Sequence, residues 1–344
     1  MAPLTHVPDF TRLHAAVIGD LIADHYVYTR PGKLSREAPV LVLRHRGEKL
    51  GAGGAANVAC NLWALGAETR LLGAVGPDDV GRVLLERLEK DRIDCSGVLW
   101  VEGWNTPEKT RILSAEPRRT MQQLLRIDRE PDEGLGKETR DALCDRVRSL
   151  AGQVEALLIS DYQYGLVDEA LADAVAVVQA AGAVVVLDPR RNLDLFRGLT
   201  ALTPNLAELA LATGRDESEL DDPAAIAVSA HEILGRVEPL WLLVTLGNRG
   251  MALFGREVPA EGLAVPASGP DRVIDVSGAG DTAASTFTLA LAAGVDGAGA
   301  MQLANAAAGI VVMESGTAVC SASRLRSALA SAPRPDRFDR VMGG

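Results

Sequence analysis

Positive charge is the first shortage in this 344-residue chain: 35 lysines and arginines face 46 aspartates and glutamates, a formal net charge of -11. With no basic surplus to offset phosphate repulsion, the composition argues against a nucleic-acid or anionic-membrane binder and for an enzyme of small molecules. Cysteine is scarce as well. Cys60, Cys95, Cys144 and Cys320 lie far apart with no C-x-x-C pair, so neither a disulfide framework nor a zinc site is encoded. The five histidines lack metal-ligand spacing. No apolar run approaches bilayer length, and the start, MAPLTHVPDFTRLH, has no basic region followed by a greasy core, so a cytoplasmic protein is expected. What is abundant is core-forming material, 47% hydrophobic residues, in a chain long enough for one large α/β domain or two smaller ones.

One stretch carries the strongest chemical signal. Val273-Ile274-Asp275-Val276-Ser277-Gly278-Ala279-Gly280-Asp281-Thr282 reads as a strand, a glycine turn and the start of a small-residue helix. Glycines remove the Cβ atoms that would hold a ligand away, so the free N–H groups of the helix start can face an anion, with Asp281 beside them. Phosphoryl transfer to a hydroxyl follows, with Asp281 taking the proton. The bland alternative is a tight turn with Asp281 as a capping residue.

The rest of the chain supports an α/β enzyme. AAVIGD ends a buried parallel strand on Asp20, either a substrate contact or a turn residue. Residues 25–50 lack helical period and read as a small antiparallel excursion, a lid, which with the β-rich 97–128 gives enough strands for a small sheet standing off the main body. They concentrate Lys109, Arg111, Arg126 and Asp128, as a solvated face or as groups carried onto substrate. Gly53 and Gly54 precede a helix that presents Asn57 one turn in; the spacing is not a dinucleotide fingerprint, and no apolar strand is expected to run into it. Strands at 156–161, 183–188, 201–205 and 241–247 alternate with helices at 137–150, 168–181, 206–213 and 223–236, which predicts a mostly parallel sheet covered on both faces. Asp161, Asp188, Asn205 and Thr245 end those strands, at the edge where ligands gather. A small-residue helix at 300–316 follows, tight enough to line an adenine pocket, and residues 333–344 read as a loosely held tail.

In order and spacing, Gly53-Gly54, Asn205-Leu206-Ala207-Glu208, Thr245-Leu246-Gly247 and Gly278-Ala279-Gly280-Asp281 resemble the ribokinase-like (PfkB-type) carbohydrate kinases. Ser35 to Val40, Gly53 to Ala59, Gln122 to Asp128, Ser160-Asp161-Tyr162 and Leu202 to Leu206 are similar to the subgroup acting on D-glycero-D-manno-heptose 7-phosphate in lipopolysaccharide-precursor synthesis. The resemblance implies a ribokinase-like fold, one kinase domain over residues 1–332, ATP with Mg²⁺, phosphorylation of an anomeric hydroxyl, and a homodimer formed through the lid. It implies Asp281 as base and Gly278, Ala279 and Gly280 as the anion hole. Asp20, Gly53, Gly54, Asn57 and Asp161 would hold the sugar. Apart from the resemblance, Arg111, Arg126 and Arg190 are read as a clamp for the substrate phosphate, with Lys109 beside them as a substrate contact. Asn205 and Glu208 would organise Mg²⁺ through water, Thr245, Gly247 and Asn305 would border the nucleotide, and Asp275, Ser277 and Gly316 would hold K⁺.

Two positions depart from the subgroup: Tyr164 stands where it has lysine, and Arg190 where it reads D-P-K. Arginine can hold a phosphate through its planar fork, whereas tyrosine cannot replace a cation. Bifunctional members of the family carry a nucleotidyltransferase domain after the kinase; this chain ends without room for one, so the kinase alone is expected. The rivals are a kinase of fructose, ribose or a nucleoside on the same fold, and a sugar-binding protein without catalysis.

Overall fold

The computed structural model describes residues 4–115, 121–269 and 273–342. Residues 116–120 of the expected lid and the last two residues of the expected tail lie outside them.

In chain order, β1 (His14–Gly19) is followed by two long strands, β2 (Leu21–Leu34) and β3 (Leu41–Gly54), then α1 (Ala55–Leu65), β4 (Glu68–Val75), α2 (Asp79–Lys90) and β5 (Asp94–Trp100). Strands β6 (Glu108–Ser114) and β7 (Gln122–Arg129) precede α3 (Lys137–Ser149), β8 (Ala156–Ser160), α4 (Glu169–Ala180), β9 (Val184–Asp188) and β10 (Ala201–Leu202). Next come α5 (Leu206–Thr213), α6 (Pro223–Val237), β11 (Trp241–Thr245), β12 (Met251–Gly255) and β13 (Leu263–Val265). The chain closes with α7 (Ala279–Ala292), α8 (Gly297–Val311), α9 (Ala322–Leu329), β14 (Asp336–Arg337) and α10 (Phe338–Met342).

The large sheet runs β14-β13-β12-β11-β10-β9-β8-β1-β4-β5, parallel from β11 to β5 and antiparallel at the β12 to β14 end. Its inner parallel strands β8 to β11 are almost wholly apolar because both faces are covered. In β1, Ala15 and Val17 join the core under α1, α2, α7, α8 and α9, while Ala16 and Ile18 join the core under α3 to α6. This is the expected α/β architecture. No helix among the described residues is long and apolar enough to cross a membrane.

The small sheet has the order β3-β2-β6-β7. Its centre is parallel, because β2 and β6 run the same way while β3 and β7 flank them antiparallel. Asp24 lies opposite Lys109 and Tyr26 opposite Arg111, while Lys109 faces Asp128 and Arg111 faces Arg126. With a side-chain period of two, all six stand on one face.

Four sequence expectations change. Residues 97–100 belong to β5 at the edge of the large sheet, not to the lid; an edge strand with mixed burial has no pattern that says which sheet it joins. Strand β3 does run straight into α1, with Gly51 to Gly54 as its last residues paired with β2, and three glycines in four positions hid its strand character. Residues 273–276 form no strand: the N–H groups of Ile274 and Asp275 both donate to the carbonyl of Val312, and the apolar side chains of Val273 and Val276 line a cavity instead of a core. The tail is held. Phe338 is buried, its ring stands 5.3 Å from that of Phe254, and its N–H donates to Gly262 O at 3.1 Å.

Candidate active site

The site is built on the meeting of α1 and α7. Small residues on both helices (Ala55, Ala56 and Ala59 against Ala283 and Ala284) let the backbones approach closely enough for polar pairs to cross between them. Asn57 Nδ2 donates to Asp281 Oδ2 at 2.7 Å. Asn61 supports the same seam, accepting from the Thr282 hydroxyl at 3.0 Å and from Cys320 N–H at 3.2 Å. Gly278 caps α7 with φ at 78°, and a Cβ there would lie 2.6 Å from Asn57 Nδ2, so both conformation and space require glycine.

Asp281 is buried, and its second oxygen, Oδ1, accepts from the Tyr162 hydroxyl at 3.2 Å. Burial pushes its pKa up to about 6 and the charge of Asp24 adds to this, against the hydrogen bonds from Asn57 and Tyr162 and the charge of Arg190. At neutral pH it is a carboxylate poised to accept a proton. Of the expected anion-hole residues, Ala279 has its N–H engaged, donating to Val276 O at 3.2 Å, and the space over Gly280 is open. The N–H groups of Gly278, Gly280 and Asp281 find no acceptor among the described residues, at the positive end of α7.

Two cavities meet at this turn. One, of about 210 Å³, is lined by Asp281, Gly280, Asp188, Glu208, Arg190 and Tyr162 among others. The other, of about 1080 Å³, is bordered by Thr245, Gly247, Asn305, Pro266 and Val276, and shares Asn205, Thr245, Val276 and Gly280 with the first. Asn305 Nδ2 donates to Pro266 O at 2.9 Å, which fixes the wall of the larger cavity.

Asn205 and Glu208 form the N-terminal capping box of α5: Glu208 N–H donates to Asn205 Oδ1 at 2.9 Å and Asn205 N–H to Glu208 Oε2 at 2.8 Å. Arg190 Nη1 donates to the other Glu208 oxygen at 2.8 Å. Asp188 accepts from the Thr203 hydroxyl at 3.0 Å, and burial, with Glu208 and Asp281 nearby, raises its pKa well above the carboxylate range. No group of three or more His, Cys, Asp or Glu among the described residues could hold a metal by itself. Three carboxylates around one cavity with a single arginine nonetheless give an oxygen-rich, electron-rich donor set, which fits a magnesium ion keeping most of its waters.

Asp20 and Asp161 sit behind this cavity. Asp20 Oδ2 accepts from the N–H groups of Tyr162 at 2.8 Å and Tyr164 at 3.3 Å, and burial lifts its pKa to about 7. Asp161 Oδ1 accepts from Gln163 N–H at 2.9 Å, while the buried Oδ2 has no partner among the described residues. Tyr164, in place of the expected lysine, is a buried strut whose hydroxyl donates to Glu130 Oε1 at 3.0 Å.

The expected clamp divides. Arg111 is ion-paired with Asp24, whose carboxylate packs on Gly53: a Cβ there would lie 2.8 Å from Asp24 Oδ2. Arg126 binds both oxygens of Asp128 at 2.8 and 2.9 Å on the lid surface. Arg190 belongs to the smaller cavity rather than to the lid. Lys109, partly buried, has no carboxylate partner among the described residues and stands 5.2 Å from the Tyr162 ring centre. Burial, with Arg126 beside it, lowers its pKa. Asp275, Ser277 and Gly316 do come together, since the Asp275 carboxylate accepts from Ser277 N–H and Gly316 N–H, both at 2.9 Å. Gly54 ends β3 beneath Asp20, whose carbonyl accepts from Ala55 N–H at 3.0 Å.

Three residues escaped the sequence reading of the site. Asp188 was visible only as a polar strand end, Tyr162 only as part of a motif, and Asp24 is one carboxylate inside an apolar strand, a signal that an unpaired buried charge would need a cation nearby.

A family model described as pfkB family carbohydrate kinase matches residues 12–324. The bifunctional protein HldE of Magnetococcus marinus is 37% identical over 338 residues, covering 96% of this chain and 67% of that protein. That of Edwardsiella ictaluri is 37% identical over 324 residues, covering 94% and 65%. The chain thus spans about two thirds of the length of these relatives. Among solved structures, the tetrameric inhibited form of phosphofructokinase-2 from Escherichia coli superposes with a TM-score of 0.75 at 20% identity, over 93% of this chain and 99% of that one. Arabidopsis thaliana ribokinase complexed with ribose and ATP gives 0.69 at 22% identity, over 92% and 98%. The two-cavity turn at Asp281 is thus carried on a ribokinase-like fold, and the chain belongs to the pfkB family of carbohydrate kinases.

Proposed function

We propose that this kinase transfers the γ-phosphoryl group of ATP to the anomeric O1 of D-glycero-D-manno-heptose 7-phosphate, with Asp281 as general base. The observation that carries the reading is the position of Asp281, a buried carboxylate beside the open amide of Gly280 where the two cavities join. The larger cavity suits a nucleotide. Its phosphates would reach the positive end of α7, and the sugar would enter from the lid side, under Lys109. The 34–37% identity to several HldE proteins supports the heptose phosphate over fructose, ribose or a nucleoside.

The chain's own residues divide the work. Asn57 orients the Asp281 carboxylate through Oδ2, and the carboxylate takes the proton of the attacking hydroxyl. Gly280 and Asp281 N–H groups and Arg190 lie where charge develops on the transferring group. Asp188, Glu208 and Asn205 would hold Mg²⁺ through water, and the ion when bound would neutralise phosphate charge. Asp275, Ser277 and Gly316 tie two loops around a position suited to K⁺. Lys109, with Arg126, would meet the 7-phosphate. The exposed Val40, Leu41, Leu124, Leu125 and Ile127 of the lid favour pairing with a second copy.

The test is ATP consumption with Mg²⁺ and K⁺ against heptose 7-phosphate, fructose 6-phosphate, fructose, ribose and adenosine. Turnover confined to the heptose phosphate is expected. Turnover of an unphosphorylated sugar would keep Asp281 and remove the role given to Lys109.

A further inference from the structure

Tyr162 is held unusually firmly for a residue in a loop. Its N–H donates to the buried Asp20, and the next residue, Gln163, is locked at φ 69° with its own N–H on Asp161. Two cations from different parts of the molecule stand over its ring, the Arg190 guanidinium at 4.7 Å and the Lys109 ammonium at 5.2 Å from the ring centre. Its hydroxyl ends on Asp281 Oδ1 at 3.2 Å, while Asn57 covers Oδ2 at 2.7 Å. Burial raises the phenol's pKa, so it is a neutral donor to a carboxylate. Neither oxygen of the base is therefore left without a protein donor.

We propose that Tyr162 is a positioning residue that occupies the proton-accepting oxygen of Asp281 in place of water, and yields it only to an incoming sugar hydroxyl. The inference rests on Asp281 being the base. It addresses a problem every such kinase faces, because the same step works with water: a water oxygen bonds to the γ-phosphorus, the bond from that phosphorus to the ADP oxygen breaks with its electron pair leaving on ADP, and the water proton goes to Asp281. The phenol holds one acceptor site of Oδ1, so a water poised for that attack would have to share the oxygen with it. A sugar held by other contacts can displace the phenol; a lone water cannot bring that binding energy. The ring's two cations connect the displacement to ligand entry, since Lys109 comes from the lid strand β6 and Arg190 from the smaller cavity, and each is drawn from the ring by an arriving anion.

The groups facing Asp281 are Asn57 from α1, Asp24 from β2, Tyr162 after β8, and Asp188 and Arg190 at the end of β9. Of these, Tyr162 can be altered by a single atom. Phosphate release from ATP and Mg²⁺ without any sugar is measured for the wild type, Tyr162→Phe, Asp281→Asn and the double variant. Tyr162→Phe is expected to raise sugar-free hydrolysis about tenfold, a modest share of what a positioned base contributes. The rise is expected to vanish in the double variant. The acid limb of that hydrolysis should also move to higher pH, because the carboxylate has lost a donor that favours its charged form. No rise, or a rise that survives in the double variant, overturns the proposal. Normal sugar phosphorylation by Asp281→Asn alone would instead remove the base itself. Lys109→Met serves as a second variant: it removes one cation from the ring but keeps the hydroxyl, and a smaller rise is expected. Should Tyr162→Phe not fold, an unchanged rate in Lys109→Met overturns the proposal.

Discussion

The floor of the site and its lid solve opposite problems with opposite materials. On the floor, α1 and α7 bring together amides, hydroxyls and one carboxylate, all buried and hydrogen-bonded, between alanines and glycines. On the lid, β2, β6 and β7 present lysine, arginines and aspartates on one face, most of them already in ion pairs. On the proposed reading, the floor would set chemistry by removing water from one acid, and the lid would set recognition by long-range charge. The first should respond to pH and hardly to salt, and the second to salt and hardly to pH.

The sharpest way to break this contrast is Asp281→Asn, which keeps the shape of the floor and removes its charge. Turnover is expected to fall roughly 10²- to 10⁴-fold, with melting temperature held or raised because a buried charge is gone. Activity retained with a lowered melting temperature would make Asp281 a cap and the contrast void. The next effect lies at the hinge between the regions. Arg111 and Asp24 are both nearly buried, with side chains 12% and 6% exposed, so Arg111→Ala strands a carboxylate. Losing one partner of such a pair costs about 3–5 kcal/mol. Burial already holds the Asp24 pKa above its usual value despite Arg111, which places the expectation at the lower end. Denaturant melts of Arg111→Ala and of Arg111→Met with Asp24→Asn check this, and the pair of changes should recover most of the loss.

A smaller effect separates the lid's charges from one another. Lys109→Ala should raise the KM for the sugar phosphate about tenfold, as expected for one charge-assisted contact, with kcat less affected and the gap narrowing in high salt. Arg126→Ala should do less, because its guanidinium is exposed and committed to Asp128. An equal loss for both would make the lid a single undivided clamp.

The smallest effect is a pair of opposite pH trends. Asp281 titrates at about 6 and Asp20 at about 7, both above the ordinary 3.8 of an aspartate, and burial is the main cause in each. Raised carboxylates contribute stability that is complete below 3.8 and lost as pH rises through 6 and 7, so the melting temperature should climb as pH falls from about 8 to 5. kcat/KM should fall over the same interval, as the base of the floor takes up its proton. Parallel trends would show that the acids counted here do not govern either quantity.

Much of the floor was legible in the sequence, and for a physical reason. Glycine turns and small-residue helices are local: Gly278 to Asp281 sit together in the chain as they do in space, and Asn205 with Glu208 encode their own capping box. The parallel strands were equally open to reading, since burial on both faces leaves them no polar alternation. What stayed hidden depends on partners far away. Whether residues 97–100 joined the lid or the main sheet turned on pairing with β4, and the apolar Val273 and Val276 look the same in sequence whether they fill a core or wall a cavity. Tyr164 taking a lysine's place could be seen as a departure, but its bond to Glu130 could not.

Tyr26 fastens the lid where it leaves the body. Its buried ring packs against Gly316, where a Cβ would lie 3.1 Å from it, and its hydroxyl accepts from Thr317 N–H at 3.0 Å. Mechanically, the 14-residue β2 is a beam anchored over its first half, and beyond that it is held by its pairing with β3 and β6. Any movement of such a beam would be bending and twisting along its span, not swinging on a pin. Its stiffness would then be written in its cross-strand pairs with β3 and β6.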